Sequence, residues 1–346
     1  MKRRTGILLV NLGTPDSPKP RDVKRYLSQF LTDRRVIDLP WAFRQLLVRG
    51  VIVRKRYRSS AKLYSSIWTN QGSPLKVYGE EVAKKLGESL GEKFHVELAM
   101  RYQNPSIERA LLKLKGARRL LIIPLFPQYA SATTGSIYQE VFRLLQKWEV
   151  IPSLTCLDQF ATHKDVIRAF CASAKKYDFS EFDHILFSYH GLPVSHIQKA
   201  DDCGHCYASS SCCETLTDKN ESCYAAQCVA TTKAICKELG LSKSRISHSY
   251  QSRLGKDPWI KPYTAETLKN LAYEGKKRVL VFCPAFVADC LETLEEIGVE
   301  YRSDFKNWGG EKLDFVEGLN GNPEWIEALK KMVLEQLPSE VKCQFL

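Results

Sequence analysis

The sequence predicts an α/β fold built on parallel β-sheets. Two observations favour this class: short aliphatic runs alternate with amphipathic stretches, and one run-plus-turn pattern recurs in the second half of the chain. Buried strands of a parallel sheet appear in sequence as short apolar runs bounded by Gly or Pro and separated by helical patterns. At 346 residues the chain is long enough for two domains of roughly 100–200 residues each.

Six apolar runs are predicted to be β-strands, at residues 6–11, 95–102, 119–127, 182–190, 244–251 and 277–286. The amphipathic stretches between them are predicted to be helices that flank the sheets. Polar residues follow the strand ends, namely Asn11, Arg101, Tyr102, Gln128, Tyr129, His190, Gln251 and residues 289–292. Ligands of open parallel sheets bind beyond the carboxyl ends of the strands, so a cleft between two halves is the expected site.

An internal repeat supports two similar halves. Residues 7–15 align with 185–193 at a spacing of 178, which matches Gly13 to Gly191, and residues 120–126 align with 280–286 at a spacing of 160. Tyr-Gln pairs end a strand in each half, at residues 102–103 and 250–251. Strand-proline turns also recur by chance in α/β proteins, but three matches in the same order favour duplication.

The repeat sets the predicted domain boundaries. Residues 1–155 form the first half, and residues 156–337 form the second half, which carries a cysteine-rich insertion at 199–228. Residues 338–346 are a tail.

Composition and charge exclude several classes of protein. The 51 Lys and Arg against 39 Asp and Glu give a net charge of +12, which suits nucleic acid, anionic lipid or an acidic small molecule. No nucleic-acid motif accompanies the basic residues, so nucleic-acid binding is not expected. The first aliphatic run is too short for a signal peptide, and no run of about 18 apolar residues could span a membrane. We therefore expect a cytoplasmic protein whose 12 cysteines are thiols or metal ligands.

His190 has the most site-like context of the seven histidines. It follows a buried run and precedes Gly191, so it should stand at a strand end beside a turn. There a neutral imidazole could bind a metal or transfer protons near neutral pH. The alternative is a loop histidine bonded only to backbone.

A row of acidic residues follows the strand near residue 282, at Asp289, Glu292, Glu296 and Glu300. Spacings of three, four and four place these side chains along one face of a helix. Such a row is suited to passing protons or a divalent cation, because like charges at this spacing otherwise destabilise the helix. The alternative is a solvated acidic face.

Six cysteines lie between residues 203 and 228, at Cys203, Cys206, Cys212, Cys213, Cys223 and Cys228. This density favours a structural metal centre, since four thiolates satisfy either Zn or a 2Fe–2S cluster. The adjacent pair Cys212 and Cys213 does not fit the spaced pairs of a zinc ribbon, so the iron–sulfur interpretation is preferred. A reduced thiol patch without metal remains open.

Residues 41–58 mix apolar side chains with six basic ones. Such a basic amphipathic segment can lie on an anionic membrane surface, or it can be a core helix with a basic outer end. The terminal Cys343 is preceded by no polybasic run and is not interpreted as a prenylation site.

Several separate motifs resemble the ferrochelatase family. They are ILLVNLGTP at 7–15, QGSPL at 71–75, PLFPQYASATTGS at 124–136, FSYHGLP at 187–193, YQSRLGKDPW at 250–259 and ADCLETLEEI at 288–297. The resemblance covers nearly the whole chain and implies a lyase that inserts Fe²⁺ into protoporphyrin IX at the end of haem synthesis. It also implies two Rossmann-like, chelatase-type domains with the porphyrin in the cleft between them.

The resemblance also implies roles for individual residues. His190 and Glu292 correspond to the family's iron-binding and proton-accepting pair, and Asp289, Glu296 and Glu300 to a supporting acidic path. The porphyrin would be bound by Leu12, Tyr64, Arg101, Tyr102, Ser131, Gln251, Ser252 and Trp259.

The chain departs from parts of the family pattern. Cys290 stands where animal members have His, and the C-terminal cysteine cluster of animal members is absent. The insertion after residue 193 is instead similar to bacterial members with an internal 2Fe–2S cluster. Its expected ligands are Cys206, Cys212, Cys213 and Cys223, with Cys203 and Cys228 as alternates.

Three alternatives in function remain open. The enzyme could act on coproporphyrin III, or it could be a cobalt or nickel chelatase of a sirohydrochlorin-type ring. A non-catalytic porphyrin or haem carrier would need the cleft but not the acidic row, so the presence of both His190 and that row favours catalysis. Peripheral contact with the inner face of the membrane is a further expectation.

Overall fold

The computed structural model describes residues 5–255 and 257–337. The predicted tail at 338–346, including Cys343, lies outside the described residues, as do residues 1–4 and Lys256. Each half contains one parallel four-stranded sheet flanked by helices, which confirms the predicted α/β class.

The first unit comprises residues up to Leu125, Ser131–Asp158 and the segment from Gly321. Its strands are β1 (Thr5–Gly13), β2 (Phe94–Tyr102), β3 (Arg119–Pro124) and β4 (Ser153–Cys156), in the order β2-β1-β3-β4. Its α-helices are α1 (Pro20–Leu31), α2 (Trp41–Gln45), α3 (Val53–Ile67), α4 (Pro74–Leu90), α5 (Ile107–Lys113) and α6 (Ser136–Leu145), and π-helices cover Leu46–Ile52 and Ser131–Gly135. Residues 7–10 of β1 are fully buried, because β1 lies inside the sheet with helices on both faces.

The second unit comprises Phe126–Ala130 and Gln159–Asn320. Its strands are β5 (His184–His190), β6 (Ile246–Gln251), β7 (Arg278–Phe282) and β8 (Lys312–Phe315), in the order β6-β5-β7-β8. Its α-helices are α7 (Lys164–Ala174), α8 (Val194–Lys199), α9 (Tyr224–Leu239), α10 (Thr264–Tyr273) and α11 (Arg302–Asn307); a π-helix covers Glu292–Tyr301, and short 3₁₀ turns cover Phe179–Glu181 and Lys243–Arg245.

The two sheets repeat one topology. In each sheet the first strand pairs in parallel with the second and third, and the fourth strand adds to the third. The predicted repeat therefore corresponds to two sheets with the same strand order, and β1 and β5 are the aligned strands.

The last described helix, α12 (Pro323–Glu335), packs on α4 and is part of the first unit. The sequence boundary had assigned residues 156–337 to the second half. Lys85 of α4 donates to the carbonyl of Gly321 at 2.7 Å, and Trp325 and Leu329 of α12 are fully buried. Burial of this apolar face against α4 explains why the chain returns to the first unit.

Candidate functional site

His190 occupies the end of β5, beside Gln251 at the end of β6. Its Nδ1 lies 2.7 Å from the carbonyl oxygen of Gly191. A carbonyl oxygen can only accept, so Nδ1 is the donor of this bond, and in the neutral form of the ring the lone pair is on Nε2. The ring centroid lies 6.3 Å from that of Trp259 and 6.4 Å from that of Phe286. His190 thus presents one basic nitrogen in an aromatic environment.

Gly191 allows this close packing. A Cβ at this position would lie 2.9 Å from the carbonyl oxygen of Gln251 and 3.0 Å from the Trp259 ring. A backbone hydrogen bond joins the residues that follow Gly191 and Trp259, since Ile260 donates its N–H to the carbonyl of Leu192. The absence of a side chain at Gly191 therefore lets Trp259 approach the strand end.

Glu292, Glu296 and Glu300 of the acidic row lie in a π-helix, Glu292–Tyr301, and Asp289 lies in the loop between β7 and this helix. π-Helical turns are rare and are frequently found at functional sites. Glu292 and Glu296 are half-buried, whereas Glu300 is exposed. Burial, followed by the charges of Glu296 and Glu295, raises the pKa of Glu300. The row thus leads from a half-buried carboxylate to the surface.

Glu296 is held by four hydrogen bonds. It accepts from the backbone N–H and hydroxyl of Ser252 at 2.9 and 2.5 Å, from Gln251 Nε2 at 2.9 Å, and from the Tyr301 hydroxyl at 3.2 Å. Gln251 Nε2 also donates to the backbone carbonyl of Glu292 at 2.9 Å. Since Gln251 pairs with His190 in the sheet, this amide connects the histidine strand to the acidic row.

Asp289 and Cys290 fix the start of the row. Asp289 is buried and accepts from the Thr293 hydroxyl, the Gly318 N–H and the Asn320 amide, and burial raises its pKa. Cys290 is buried with its thiol hydrogen-bonded to Glu292. Asp289 therefore anchors the segment that presents Glu292.

In the first unit, Arg101 and Tyr102 converge on Asp33. The Asp33 carboxylate accepts from Arg101 at 2.7 Å, from the Tyr102 hydroxyl at 3.0 Å and from Ser136 at 2.6 Å. Burial acts to raise the Asp33 pKa, but the bonds from Ser136 and Arg35 and the Arg101 charge outweigh it, so the pKa is lowered. Tyr102 is only 2% exposed. Arg101 and Tyr102 are thus fixed by a carboxylate.

The other predicted residues of the first unit lie apart from this cluster in sequence. Leu12 is half-buried near the end of β1, and Tyr64 is buried with its ring edge-on to Tyr26. Ser131 begins a π-helix and accepts from Arg35 at 2.7 Å.

The structure therefore divides the predicted site residues between the units. His190, Gln251, Ser252, Trp259, Asp289, Glu292 and Glu296 belong to the second unit, and Leu12, Tyr64, Arg101, Tyr102 and Ser131 to the first.

Four of the six clustered cysteines line one cavity of about 100 Å³ in the second unit: Cys206, Cys212, Cys213 and Cys223. The sulfurs of Cys212 and Cys213 lie 3.6 Å apart, and Cys213 is hydrogen-bonded to Cys223. Residues 201–223 contain no helix or strand, and Asp201 accepts backbone N–H bonds from Cys203, His205 and Cys206. Cys203 is exposed, Cys228 is fully buried within α9, and neither lines this cavity.

Tyr224 connects the cysteine segment to His190. It directly follows Cys223 at the start of α9, is 6% exposed, and donates its hydroxyl to the backbone carbonyl of His190 at 2.7 Å. The sequence analysis did not single out Tyr224 or Asp33. No local pattern marks either residue, because each acts through partners distant in sequence.

Residues 41–52 form α2 and a π-helix with an exposed apolar face. Trp41, Phe43 and Leu46 are 72%, 69% and 72% exposed, whereas Val48 and Val53 are buried. Among the described residues, no helix has the length and apolar character needed to cross a membrane.

The two parallel four-stranded sheets, with the candidate residues at strand ends, define the chain as an α/β protein. SirB from Bacillus subtilis with Fe³⁺ superposes with a TM-score of 0.54, covering 96% of this chain and 95% of SirB. At 11% identity this likeness concerns the fold alone.

Sequence comparison identifies the family. The model described as Ferrochelatase matches residues 4–337. The ferrochelatase of Legionella pneumophila (strain Paris) is 45% identical over 334 residues, covering 96% of this chain and 100% of the relative. That of Azotobacter vinelandii is 46% identical over 333 residues, covering 94% and 97%. The chain belongs to the ferrochelatase family, lyases that insert ferrous iron, their metal substrate, into a porphyrin in the terminal step of haem biosynthesis.

Proposed function

We propose that this ferrochelatase inserts Fe²⁺ into protoporphyrin IX, with His190 and Glu292 as the metal-binding and proton-accepting residues. The observation that carries this proposal is the Gln251 amide. It lies beside His190 in the sheet and bonds both the Glu292 backbone and the Glu296 carboxylate. Through Gln251, the His190 imidazole and the acidic row are therefore linked at the same end of the second sheet.

Metal insertion requires a base for the pyrrole protons and a transient ligand for iron as it loses water. The proton of His190 Nδ1 is engaged by Gly191, so Nε2 is the atom available for either task. Glu292 accepts a proton, and Glu296 and Glu300 extend the row of carboxylates toward solvent. Asp289 supports this path by holding its first turn, since its carboxylate is already bonded to Thr293, Gly318 and Asn320.

The porphyrin-binding role extends to the remaining predicted residues. Leu12 and Arg101 are partly exposed, so we propose that they contact the macrocycle or its carboxylates, together with Tyr64, Tyr102 and Ser131. Gln251, Ser252 and Trp259 form the corresponding set near His190. A rigid apolar site would favour a distorted ring over the planar substrate.

The test measures turnover and porphyrin fluorescence quenching in parallel. We expect His190→Ala and Glu292→Gln each to abolish iron insertion while porphyrin binding persists, since apolar contacts elsewhere bind the ring. Turnover within about tenfold of the wild type, or ~1.4 kcal/mol in the barrier, would remove these residues from the mechanism. An anaerobic comparison of protoporphyrin IX with coproporphyrin III decides the substrate, and faster turnover of the latter would favour the alternative.

We also propose that Cys206, Cys212, Cys213 and Cys223 hold a 2Fe–2S cluster. The donor set fits, because four thiols line one cavity and Cys203 and Cys228 do not. When bound, such a group cross-links its thiolates and can accept an electron. Thiolate ligation would order a segment that has no secondary structure of its own.

Colour and metal content test the cluster. Anaerobically purified protein should absorb visible light, and Cys212→Ser should bleach it, whereas Cys203→Ser should leave the absorption unchanged. A colourless protein with stoichiometric zinc would replace the cluster with a zinc site. Protein without bound metal would leave only a thiol patch.

We propose a cytoplasmic location with peripheral membrane contact through residues 41–58. The exposed Trp41, Phe43 and Leu46 lie in a segment that carries six basic residues, as expected for a helix on anionic lipid. Flotation with anionic vesicles should recover the protein at low ionic strength and release it at high salt. No flotation at low salt would make this segment an ordinary domain surface.

A further inference from the structure

A cavity of about 310 Å³ in the first unit includes Arg101, proposed above as a porphyrin contact, and is lined by no residue of the acidic row or the cysteine segment. It is lined by Gln29, Thr32, Asp33, Arg34, Arg44, Arg101 and Gln139. Three guanidinium groups thus face one carboxylate. The cavity carries a net positive charge, which favours an anionic ligand.

The carboxylate of this cavity is already saturated. Asp33 Oδ1 accepts from the backbone N–H of Arg35, and Oδ2 accepts from Arg101, Tyr102 and Ser136. Arg101 also has hydrogen-bond partners, because its Nε donates to the Ser136 hydroxyl and its NH2 donates to Asp33. Asp33 therefore neutralises Arg101 but contacts neither Arg34 nor Arg44 in the hydrogen bonds and ion pairs of the described residues.

The remaining lining residues are Gln29, Gln139 and Thr32, and the Thr32 hydroxyl already donates to the Ser28 carbonyl at 2.6 Å. Gln29 Oε1 accepts from the backbone and side chain of Gln103, and Gln139 Oε1 accepts from Arg35. Each glutamine therefore has its amide N–H groups to offer a ligand. A ligand in this cavity must supply acceptors.

Arg44 gives the strongest indication of an absent ligand. Its side chain is 8% exposed, its NH1 donates to the Leu39 carbonyl at 2.5 Å, and its buried Nε has no hydrogen-bond partner. A buried guanidinium without a counter-charge is costly, and an oxyanion would satisfy both its charge and its Nε–H. Arg34, exposed at the rim, can reach the same anion.

We propose that this cavity binds the phosphate of an anionic phospholipid. Arg44 directly follows the exposed Phe43 in α2, which also carries the exposed Trp41, so a phosphate-binding group and an apolar surface share one short helix. That combination matches a lipid, which joins a phosphate to acyl chains. The inference rests on the membrane contact proposed above and assigns to it a specific phosphate site.

The experiment compares Arg34→Gln with Arg49→Gln. Both remove one exposed arginine, but Arg49 lies outside the cavity. Calorimetry with inorganic phosphate should show binding that Arg34→Gln weakens about tenfold or more, the loss of a charge-assisted hydrogen bond, and that Arg49→Gln changes less than about twofold. Arg44→Lys, which keeps the charge but loses Nε–H, should also weaken phosphate binding.

Vesicle flotation identifies the source of the phosphate. At constant ionic strength, inorganic phosphate should displace wild-type protein from vesicles of phosphatidylcholine and phosphatidic acid, but should not affect the residual binding of Arg34→Gln. Equal flotation of Arg34→Gln and Arg49→Gln, together with no phosphate binding, would overturn the cavity site while leaving general membrane contact intact.

Two other outcomes would overturn the lipid assignment. Phosphate binding by a wild-type protein that floats with no vesicles would mean that the cavity takes a free phosphate compound. An increase in the porphyrin KM of Arg34→Gln, with flotation unchanged, would mean that it receives substrate carboxylates instead.

Discussion

Replacement of Tyr224 by Phe removes one hydroxyl from the boundary between the cysteine segment and His190. The ring remains in place, so packing is conserved. The change removes the 2.7 Å bond to the His190 carbonyl and the contact of the hydroxyl with the Cys228 thiol, and water cannot readily replace either because Tyr224 is 6% exposed. Leaving a buried acceptor without its partner costs about 1–3 kcal/mol.

A cost of about 2 kcal/mol should lower the Tm of a unit of this size by about 4–8 °C. The change should also reach catalysis. Tyr224 holds the backbone of the residue whose Nε2 serves the reaction, and a displacement of about 1 Å can reduce turnover about 100-fold. We therefore expect Tyr224→Phe to lower kcat by about tenfold or more, with the porphyrin KM nearly unchanged.

Tyr177→Phe is the matched control, because the Tyr177 hydroxyl also donates to a backbone carbonyl, that of Phe315, at 2.8 Å in the same unit. It should reduce stability and leave kcat unchanged. Thermal denaturation and steady-state kinetics measure both quantities. If Tyr224→Phe lowers Tm but keeps kcat within about twofold, the bond stabilises the fold without positioning His190.

Two further predictions concern the same unit. Gly191→Ala should place a Cβ 2.9 Å from the Gln251 carbonyl and 3.0 Å from Trp259, which costs about 1–3 kcal/mol of strain and should reduce turnover in a folded protein; unchanged kinetics with normal circular dichroism would contradict the need for close packing. Burial lowers the pKa of His184 to about 4, so the folded state disfavours its protonation. Stability from this residue is complete above pH ~6.5 and falls by up to about 3 kcal/mol as the pH drops to ~4. Urea titrations should show that His184→Gln weakens this pH dependence, and an unchanged slope would assign it to other groups.

The sequence was sufficient to predict the strands that have long apolar runs. Each of the six predicted runs overlaps a strand of the structure, from β1 to β3 and from β5 to β7. The strands β4 and β8 were missed because each has only four residues and lies at a sheet edge, where one neighbour suffices and the apolar pattern is weak. The return of α12 to the first unit was also missed, since an amphipathic pattern does not indicate which surface covers it.

The position of a candidate residue was predictable where its residue type and a strand end coincide, as at His190 and Gln251. The π-helical form of residues 292–301 was not predicted, because π-helical turns are rare and spacings of three and four between acidic residues indicate an ordinary α-helix. The four cysteines expected as cluster ligands came from the family resemblance, and the folded chain adds that all four line one cavity. Pairs such as Tyr224 with His190 depend on contacts between residues 34 positions apart, and a local pattern carries no such information.

The return of α12 to the first unit has a consequence for synthesis on the ribosome. The α4 surface that receives Trp325 and Leu329 is translated before the second unit, whose residues 159–320 separate it from its cover. At about 5–20 residues per second, that interval lasts about 8–30 s. During it the nascent first unit displays an apolar strip, a surface that a ribosome-associated chaperone could shield. A truncation that removes residues 323–335 would for the same reason destabilise the part of the protein made first.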